Sequence, residues 1–248
     1  MTQSNLVGYY HSKETFGTVD GRGIRYVLFL AKCGLCCAFC HNPDTWQAGE
    51  KTITVDEVIS DYKQYEAFYQ ASNGGITISG GEPLLQVEFV AELLRKCKQA
   101  GIHTTLDTAG FYPREALEKV LPYCDQILFS LKAANVDTHK YLTVTDNVTI
   151  LENLQYAALH APVIVRYVVV PTVNDSLSEI KTLAQILKRF APNAKVELLG
   201  YHIMGKYKWD NLQLEYKLSE VNPAGKKDLA KVREILENEN ISMLIAYE

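Results

Sequence analysis

Four of the six cysteines in this chain lie within eight consecutive residues. They are Cys33, Cys36, Cys37 and Cys40. Thiolates are good ligands for zinc and for iron–sulfur clusters. Four cysteines this close together therefore indicate a metal site. The first question is which of these cysteines bind a metal and which metal they bind.

The cysteine spacing allows two interpretations. Two adjoining C-x-x-C pairs would suggest zinc, with Cys36 or His41 completing a four-ligand site, yet four-cysteine zinc sites usually separate their pairs by about 15–20 residues. The pattern C-x3-C-x2-C, formed by Cys33, Cys37 and Cys40, suits a [4Fe–4S] cluster with one iron left open. We favour the cluster, because neighbouring residues such as Cys36 and Cys37 tend to point in different directions.

Composition narrows the function classes. The 248 residues are 47% apolar and 22% charged, as is ordinary for a globular protein with a sizeable core. The net charge of −4 argues against a nucleic-acid binder. No apolar run approaches the roughly 20 residues of a membrane helix, so we expect no membrane association. The N-terminus lacks signal-peptide features, so we expect a cytoplasmic protein, whose thiols stay reduced and available to metals.

Strand-like and helix-like segments alternate along the chain, which predicts an α/β fold with a parallel sheet. The predicted strands are 24–31, 75–79, 103–107, 126–131, 163–170, 195–199 and 242–246. The predicted helices are 54–71, 84–100, 113–121, 147–159, 177–190 and 226–239. Polar and glycine residues recur where these strands end, which favours a full or partial α/β barrel over a doubly wound sheet.

Two motifs resemble those of the radical S-adenosylmethionine (radical SAM) enzymes. One is the three-cysteine pattern with Phe39 before its last cysteine, and the other is the glycine-rich run 79–83. Segments 20–25, 40–46, 106–110, 166–171, 199–202 and 206–209 are similar, more narrowly, to the pyruvate formate-lyase activating enzymes. This resemblance implies the radical SAM fold, a partial (β/α)6-type TIM barrel. It is expected as a single domain over 1–248, with a core at about 20–205 and a C-terminal helix and strand at 226–246.

The resemblance also implies an activity. A [4Fe–4S] cluster on Cys33, Cys37 and Cys40 would reductively cleave S-adenosylmethionine, and a glycine of pyruvate formate-lyase would then lose a hydrogen atom to give a glycyl radical. Such an oxidoreductase is a [formate-C-acetyltransferase]-activating enzyme, and it implies flavodoxin or ferredoxin as electron donor. One alternative is an activase of another glycyl-radical enzyme, although the lack of cysteines from 41 to 96 disfavours it. A non-catalytic zinc-binding scaffold is the alternative from a different class.

Family motifs extend these expectations to individual side chains. The residues expected to bind S-adenosylmethionine are Phe39, Cys40, His41, Gly80, Gly81, Asp107, Ser130, Leu131, Lys132, Arg166 and His202. The segment that resembles the lyase-contacting loop, here called the partner loop, consists of Asp20, Gly21, Arg22, Gly23, Ile24 and Arg25. Glycines let a ligand approach the backbone closely, and a carboxylate such as Asp107 suits an ammonium group.

Six positions depart from the family pattern: Arg22, Ala109, Ser130, Val144, Thr172 and Gly200. Two of them, Arg22 and Ser130, carry expectations about function. Arg22 replaces the usual proline of the partner loop, which removes a fixed φ angle and predicts a less rigid loop. Ser130 replaces an aspartate that, with the residue matching Asp107, helps the family bind a monovalent cation. A hydroxyl brings no charge, so we expect weakened or absent cation binding here.

Overall fold

The computed structural model describes residues 6–47 and 49–244. Its strands are β1 (Val7–Gly17), β2 (Arg25–Leu30), β3 (Thr52–Thr54), β4 (Gly75–Gly80), β5 (Thr104–Thr108), β6 (Gln126–Ser130), β7 (Val163–Val169) and β8 (Lys195–Gly200). Its α-helices are α1 (Val55–Lys63), α2 (Glu66–Ala71), α3 (Val87–Gln99), α4 (Arg114–Val120), α5 (Val136–Thr143), α6 (Val148–His160), α7 (Leu177–Phe190), α8 (Lys206–Asn211) and α9 (Lys226–Asn238). Short 3-10 helices span Pro43–Thr45, Pro83–Gln86 and Leu121–Tyr123.

All eight strands belong to one sheet, in the order β3-β1-β2-β4-β5-β6-β7-β8. The six strands from β2 to β8, excluding β3, run parallel to one another in chain order. On the side away from β7, strand β8 forms a single bridge, between its Val196 and Met243. Within the described ranges the sheet therefore does not close on itself. The predicted partial (β/α)6-type barrel is confirmed.

Apolar side chains on both faces explain why the central strands form. Ile127, Leu128 and Phe129 of β6 are consecutive, so they point to both faces of the sheet, and all three are completely buried, as expected for parallel strands covered by helices. The amphipathic helix α3 adds Leu93 and Leu94, which are also completely buried, to the same core. Burial at this level holds the strands, and therefore their carboxyl ends, in fixed register.

The N-terminal region differs most from the prediction. Strands β1 and β3 were missed, because β1 is an antiparallel edge strand with many polar, partly exposed side chains rather than an apolar run. The predicted helix 54–71 is two helices: the capping box of Thr54 and Glu57 starts α1 as expected, but α1 ends at Lys63. There the backbone bonds shorten to three-residue spacing, with the N–H of Gln64 donating to the carbonyl of Asp61 at 3.2 Å.

Smaller differences occur elsewhere. Segment 84–100 begins as a 3-10 helix at Pro83 and becomes α3 only at Val87. Helices α5 and α8 were not predicted. In the predicted strand 242–246, Met243 makes the bridge to β8, and residues 245 and 246 lie outside the described part of the chain. No helix within the described ranges is both long and apolar enough to cross a bilayer.

Candidate active site

A cavity of about 550 Å³ lies at the carboxyl ends of the parallel strands. Its wall combines the loop after β2, the turn after β4 and the ends of β5, β6, β7 and β8. Loops at this end of an α/β barrel converge, which is why such enzymes place their chemistry there. The volume is in the range of small-molecule sites, about 300–1,000 Å³.

The structure brings most of the predicted site residues to this wall. Those that line it are Asp20, Cys33, Cys37, Phe39, Cys40, His41, Gly80, Gly81, Asp107, Ser130, Lys132, Arg166 and His202. Leu131 does not: its side chain is completely buried, and its backbone N–H donates to the carbonyl of Arg166 at 3.0 Å. Wall residues that the sequence did not single out as ligands include Val19, Asn42, Ser79, Thr108, Val168 and Leu199.

The cluster loop, residues 31–42, separates its cysteines into three and one. Cys36 has a φ of +47°, a left-handed conformation that is uncommon for a residue with a side chain. The backbone N–H of Cys40 then donates to the carbonyl of Cys37 at 3.0 Å, which closes the following turn. Cys33, Cys37 and Cys40 line the cavity, and Cys36 does not.

The three cavity thiols are tuned by burial. Burial raises the pKa of Cys33 to about 11 and that of Cys37 to about 12, and it raises the pKa of Cys40 as well. The positive charge of Lys132 acts in the opposite direction on each thiol. Without a cation these groups stay protonated, so metal binding has to displace their protons.

The donor set fits a [4Fe–4S] cluster. A cluster takes one thiolate at each of several corners, so its sulfur ligands stand farther apart than the ligands of a single ion. In residues 6–47 and 49–244, no three His, Cys, Asp or Glu side chains gather closely enough around one point to hold a metal ion. The three thiols nevertheless share one wall, with an adjoining cavity that has room for a cofactor.

The glycine turn after β4 needs both of its glycines. Gly80 has a φ of +119°, and a Cβ added there would stand 2.2 Å from the backbone nitrogen of Leu30. At Gly81 an added Cβ would stand 2.0 Å from the carbonyl oxygen of Lys32. The turn therefore packs directly on the backbone that leads into the cluster loop.

Glu82 supports this turn from below the wall. Its buried carboxylate accepts hydrogen bonds from the Thr108 hydroxyl at 2.7 Å and from the backbone N–H of Ala109 and Leu84, each at 3.0 Å. Burial raises the pKa of Glu82, and these hydrogen bonds oppose that shift. Glu82 thereby joins the glycine turn to the end of β5.

Arg166 is surrounded by carboxylates, which agrees with the expectation that a buried guanidinium needs anionic partners. Its nitrogens lie 2.7 Å from Glu197, 3.4 Å from Asp20 and 3.5 Å from Asp107. Burial acts to lower the pKa of Arg166, but the three carboxylates raise it above its ordinary value. Glu197 was missed by the sequence analysis; an acidic residue within an otherwise apolar strand segment was the available signal.

This network gives the cavity wall a negative character. The Ser79 hydroxyl donates to Asp107 at 2.8 Å, which fixes that carboxylate toward the cavity. Burial raises the pKa of Asp20, while Arg166 opposes the shift. Asp20 and Asp107 line the cavity. Glu197, which does not line it, balances the charge of Arg166, so this part of the wall favours a ligand that carries positive charge.

Aromatic and basic side chains also line the cavity. The Lys132 ammonium lies 5.9 Å from the centre of the Phe39 ring. The rings of His41 and His202 are tilted by 36° with centres 3.7 Å apart, and burial lowers both pKa values. Nδ1 of His202 is buried with no hydrogen-bond partner within the described ranges, so it can bond to a ligand.

The partner loop is anchored to the sheet beneath it. The Thr77 hydroxyl donates to the carbonyl of Asp20 at 2.7 Å and accepts from Nε of Arg25 at 2.9 Å. The backbone N–H of Ile24 donates to the Ser72 hydroxyl at 2.9 Å. Arg22 is exposed, but Arg25 is completely buried and so supports the loop from within. These bonds tie the loop to the sheet, and the lower rigidity expected from Arg22 stays a prediction.

Comparison with known proteins identifies this arrangement. Residues 27–184 match the model of the Radical SAM superfamily. The pyruvate formate-lyase-activating enzyme of Clostridium pasteurianum is 40% identical over 238 residues, which cover 93% of this chain and 98% of that protein. The chain belongs to the pyruvate formate-lyase activating enzyme family. The pyruvate formate-lyase 1-activating enzyme of Escherichia coli K12 is also 40% identical, over 94% of this chain and 96% of its own length.

Solved structures agree with this assignment. A domain of pyruvate-formate lyase-activating enzyme from Bacteroides vulgatus has a TM-score of 0.59 at 26% identity, covering 70% of this chain and 99% of that one. A radical SAM methyltransferase from Sphaerobacter thermophilus has a TM-score of 0.67 at 16% identity, covering 90% of this chain and 66% of that one, and shares the fold. The predicted cofactors, a [4Fe–4S] cluster and S-adenosylmethionine, are those of this superfamily.

Proposed function

We propose that this chain activates pyruvate formate-lyase by forming a glycyl radical on it. Membership of the activating-enzyme family supports the reaction. The observation that carries the proposal is the placement of Cys33, Cys37 and Cys40 on one wall of a ligand-sized cavity, with Cys36 excluded. When bound, the cluster supplies the electron that cleaves S-adenosylmethionine to methionine and a 5′-deoxyadenosyl radical, which takes the glycine hydrogen atom.

The protein's own residues bind and orient these groups. Cys33, Cys37 and Cys40 would each bind one iron of the cluster, which leaves the fourth for the methionyl end of the cofactor. Gly80 and Gly81 line the cavity with backbone alone, since a side chain at either glycine would collide with the backbone of residues 29–32. The turn therefore suits the amino-acid part of S-adenosylmethionine.

Charged residues of the cavity wall would orient S-adenosylmethionine. The negative wall around Asp107 suits the ammonium and sulfonium groups, while Lys132 and Arg166 suit the carboxylate and the hydroxyl groups. Phe39 and the neutral rings of His41 and His202 offer apolar faces for the adenine. Ser130 lies at the wall as β6 ends, and the backbone N–H of Leu131 ties the end of β6 to the carbonyl of Arg166.

The partner loop is the proposed contact site for the lyase. Asp20 lines the cavity, and the neighbouring Arg22 is exposed to solvent. A polypeptide segment that carries the target glycine would therefore meet the loop as it enters. We further propose flavodoxin or ferredoxin as electron donor, a cytoplasmic location and a single domain over 1–248, all on the strength of the sequence and its family resemblance.

The proposal is tested under anaerobic conditions. The reconstituted protein is reduced, mixed with S-adenosylmethionine and pyruvate formate-lyase, and examined by electron paramagnetic resonance. We expect a glycyl-radical doublet together with one methionine and one 5′-deoxyadenosine per radical formed. A lyase variant with its radical glycine replaced by alanine is the control and gives no doublet.

Two results would overturn the proposal. A protein that holds zinc and no iron after reconstitution would refute the radical chemistry. A doublet that forms on a different glycyl-radical enzyme, but not on pyruvate formate-lyase, would keep the chemistry and refute the partner.

A further inference from the structure

The backbone of the cavity lysine, Lys132, is tied to strand β7 and helix α7. Lys132 follows β6, which ends at Ser130, and it lines the cavity. Among the described residues its ammonium pairs with no carboxylate, and it lies 5.9 Å from the centre of the Phe39 ring. A lysine side chain has many rotamers, so the position of its ammonium depends on how firmly its backbone is fixed. The contacts of that backbone therefore bear on ligand binding.

Asn174 makes a direct contact with the backbone of Lys132. It follows β7, and its side chain is completely buried. Its amide nitrogen donates to the carbonyl of Lys132 at 3.2 Å and to that of Val168 at 2.9 Å. Its amide oxygen accepts from the backbone N–H of Val170 at 2.7 Å. The amide thus joins the end of β7 to the backbone that follows β6.

Glu179 of α7 fixes the same loop, residues 131–135, at a second point. Its carboxylate is buried and accepts from the backbone N–H groups of Ala134 and Asn135, the latter at 3.2 Å. The Tyr167 hydroxyl lies 2.9 Å from the carbonyl of Asn174 and 3.4 Å from the Glu179 carboxylate, and so connects the two. A buried carboxylate is unfavourable unless hydrogen bonds satisfy it, and here the loop supplies them. Asn174 and Glu179 are called the lysine anchor below.

We propose that the lysine anchor positions Lys132 for the carboxylate of S-adenosylmethionine. The inference rests on the proposed function, which assigns Lys132 to that group. Neither Asn174 nor Glu179 lines the cavity, so both act through the backbone of the loop and not by touching the cofactor. A charge-assisted hydrogen bond depends on the distance and direction between its partners. A lysine on a fixed backbone therefore binds more tightly than one on a mobile loop.

The experiment is a double-mutant cycle on the binding of S-adenosylmethionine. Equilibrium dialysis of the anaerobically reconstituted protein gives dissociation constants for wild type, Asn174→Leu, Lys132→Met and the double variant. Lys132→Met should raise the constant about tenfold or more, because a charged hydrogen bond is lost. Asn174→Leu keeps the branched shape without the amide and should raise it about fivefold. In the Lys132→Met background the same change should alter it less than about 1.5-fold, since the lysine that it positions is gone.

Asn153→Leu is the matched control. The Asn153 amide is also buried, and it donates to two backbone carbonyls, those of Gly110 at 2.8 Å and Tyr112 at 2.7 Å, which follow β5 and not β6. This variant should lower Tm in the same way as Asn174→Leu. Any effect that it has on the dissociation constant should be the same with and without Lys132, because the two sites do not share a partner. Coupling to Lys132 therefore separates positioning from a general loss of stability.

If Asn174→Leu does not fold, Glu179→Gln takes its place in the cycle with the same expected coupling, since it keeps the side-chain shape and removes an acceptor. An anchor variant with the wild-type dissociation constant, or one that raises it equally with and without Lys132, would overturn the inference. So would Lys132→Met with wild-type affinity, a result that leaves the glycyl-radical reaction intact. A wild-type protein that binds no S-adenosylmethionine would instead refute the proposed function, and the inference with it.

Discussion

Two loops border the cavity, and the fold holds them by different means. The cluster loop is held from the far end of the chain, through Trp209 and Lys208 of α8. The partner loop is held by the sheet that it covers, through buried polar side chains such as Arg25 and Thr77. The two loops are therefore supported separately, and we expect a change in one loop to leave the other in place.

The largest effect is expected in the cluster loop. Replacing Cys33, Cys37 or Cys40 by serine should remove the cluster and reduce lyase activation by at least about a thousandfold, because a required thiolate is lost. Cys36→Ser is the matched control and should keep wild-type iron and sulfide content, since Cys36 does not line the cavity. Iron and sulfide per chain are the measurement, and equal loss in all four variants would contradict the assignment.

Each loop contains a glycine whose replacement tests whether the two loops are supported separately. Gly23 of the partner loop has a φ of +67°, and an added Cβ would stand 2.4 Å from the carbonyl oxygen of Ser72. Gly23→Ala should displace the loop and lower kcat/KM for lyase activation about tenfold or more, which corresponds to about 1.4 kcal/mol. Cluster content should not change.

Gly34 in the cluster loop provides the control for that substitution. An added Cβ there would meet the Phe111 ring at an ordinary 3.6 Å. Gly34→Ala should therefore leave kcat/KM within about twofold of wild type, by the same kinetic comparison. If Gly23→Ala loses the cluster instead, the two loops are not independently supported.

The anchor beneath the partner loop predicts a stability effect. Thr77→Val keeps the shape of a completely buried side chain but removes its bonds to Asp20 and Arg25. Unpaired buried groups cost about 1–3 kcal/mol, which lowers Tm by roughly 2–12 °C in a chain of this size. Thermal unfolding measures the change, with Thr182→Val, a solvent-side hydroxyl on α7, as control. Equal Tm for wild type and Thr77→Val would show that the anchor does not support the loop.

The smallest effect concerns the cation. Since Ser130 brings no charge to the cavity wall, potassium should alter the activation rate of wild type by less than about twofold. Ser130→Asp should make that rate depend on potassium, by several-fold at most. Titration with potassium at constant ionic strength tests both variants, and a strong dependence in wild type would show that Ser130 does not weaken the site.

The sequence predicted the parallel strands because most of them are short runs of apolar and β-branched residues. Most of the residues proposed for the site line one cavity because parallel strands end on one side of the sheet. It did not reveal β1, whose polar edge residues resemble a loop, or the short helices α5 and α8. Nor could it show that Glu197 pairs with Arg166. Such contacts join residues far apart in the chain, and no local pattern records them. The assignment of individual residues to S-adenosylmethionine, and the single-domain organisation, stay predictions.

The bond from Trp209 to the carbonyl of Cys40 has a consequence for how the protein is made. The ribosome completes the cysteine segment long before it adds α8. A nascent chain that ends before Trp209 therefore lacks the contacts that fix the last cysteine. Iron–sulfur assembly factors would meet a finished binding site only late in synthesis, when most of the barrel has already emerged. The separation of Cys40 and Trp209 along the chain thus limits how early in synthesis the cofactor can be delivered to a complete site.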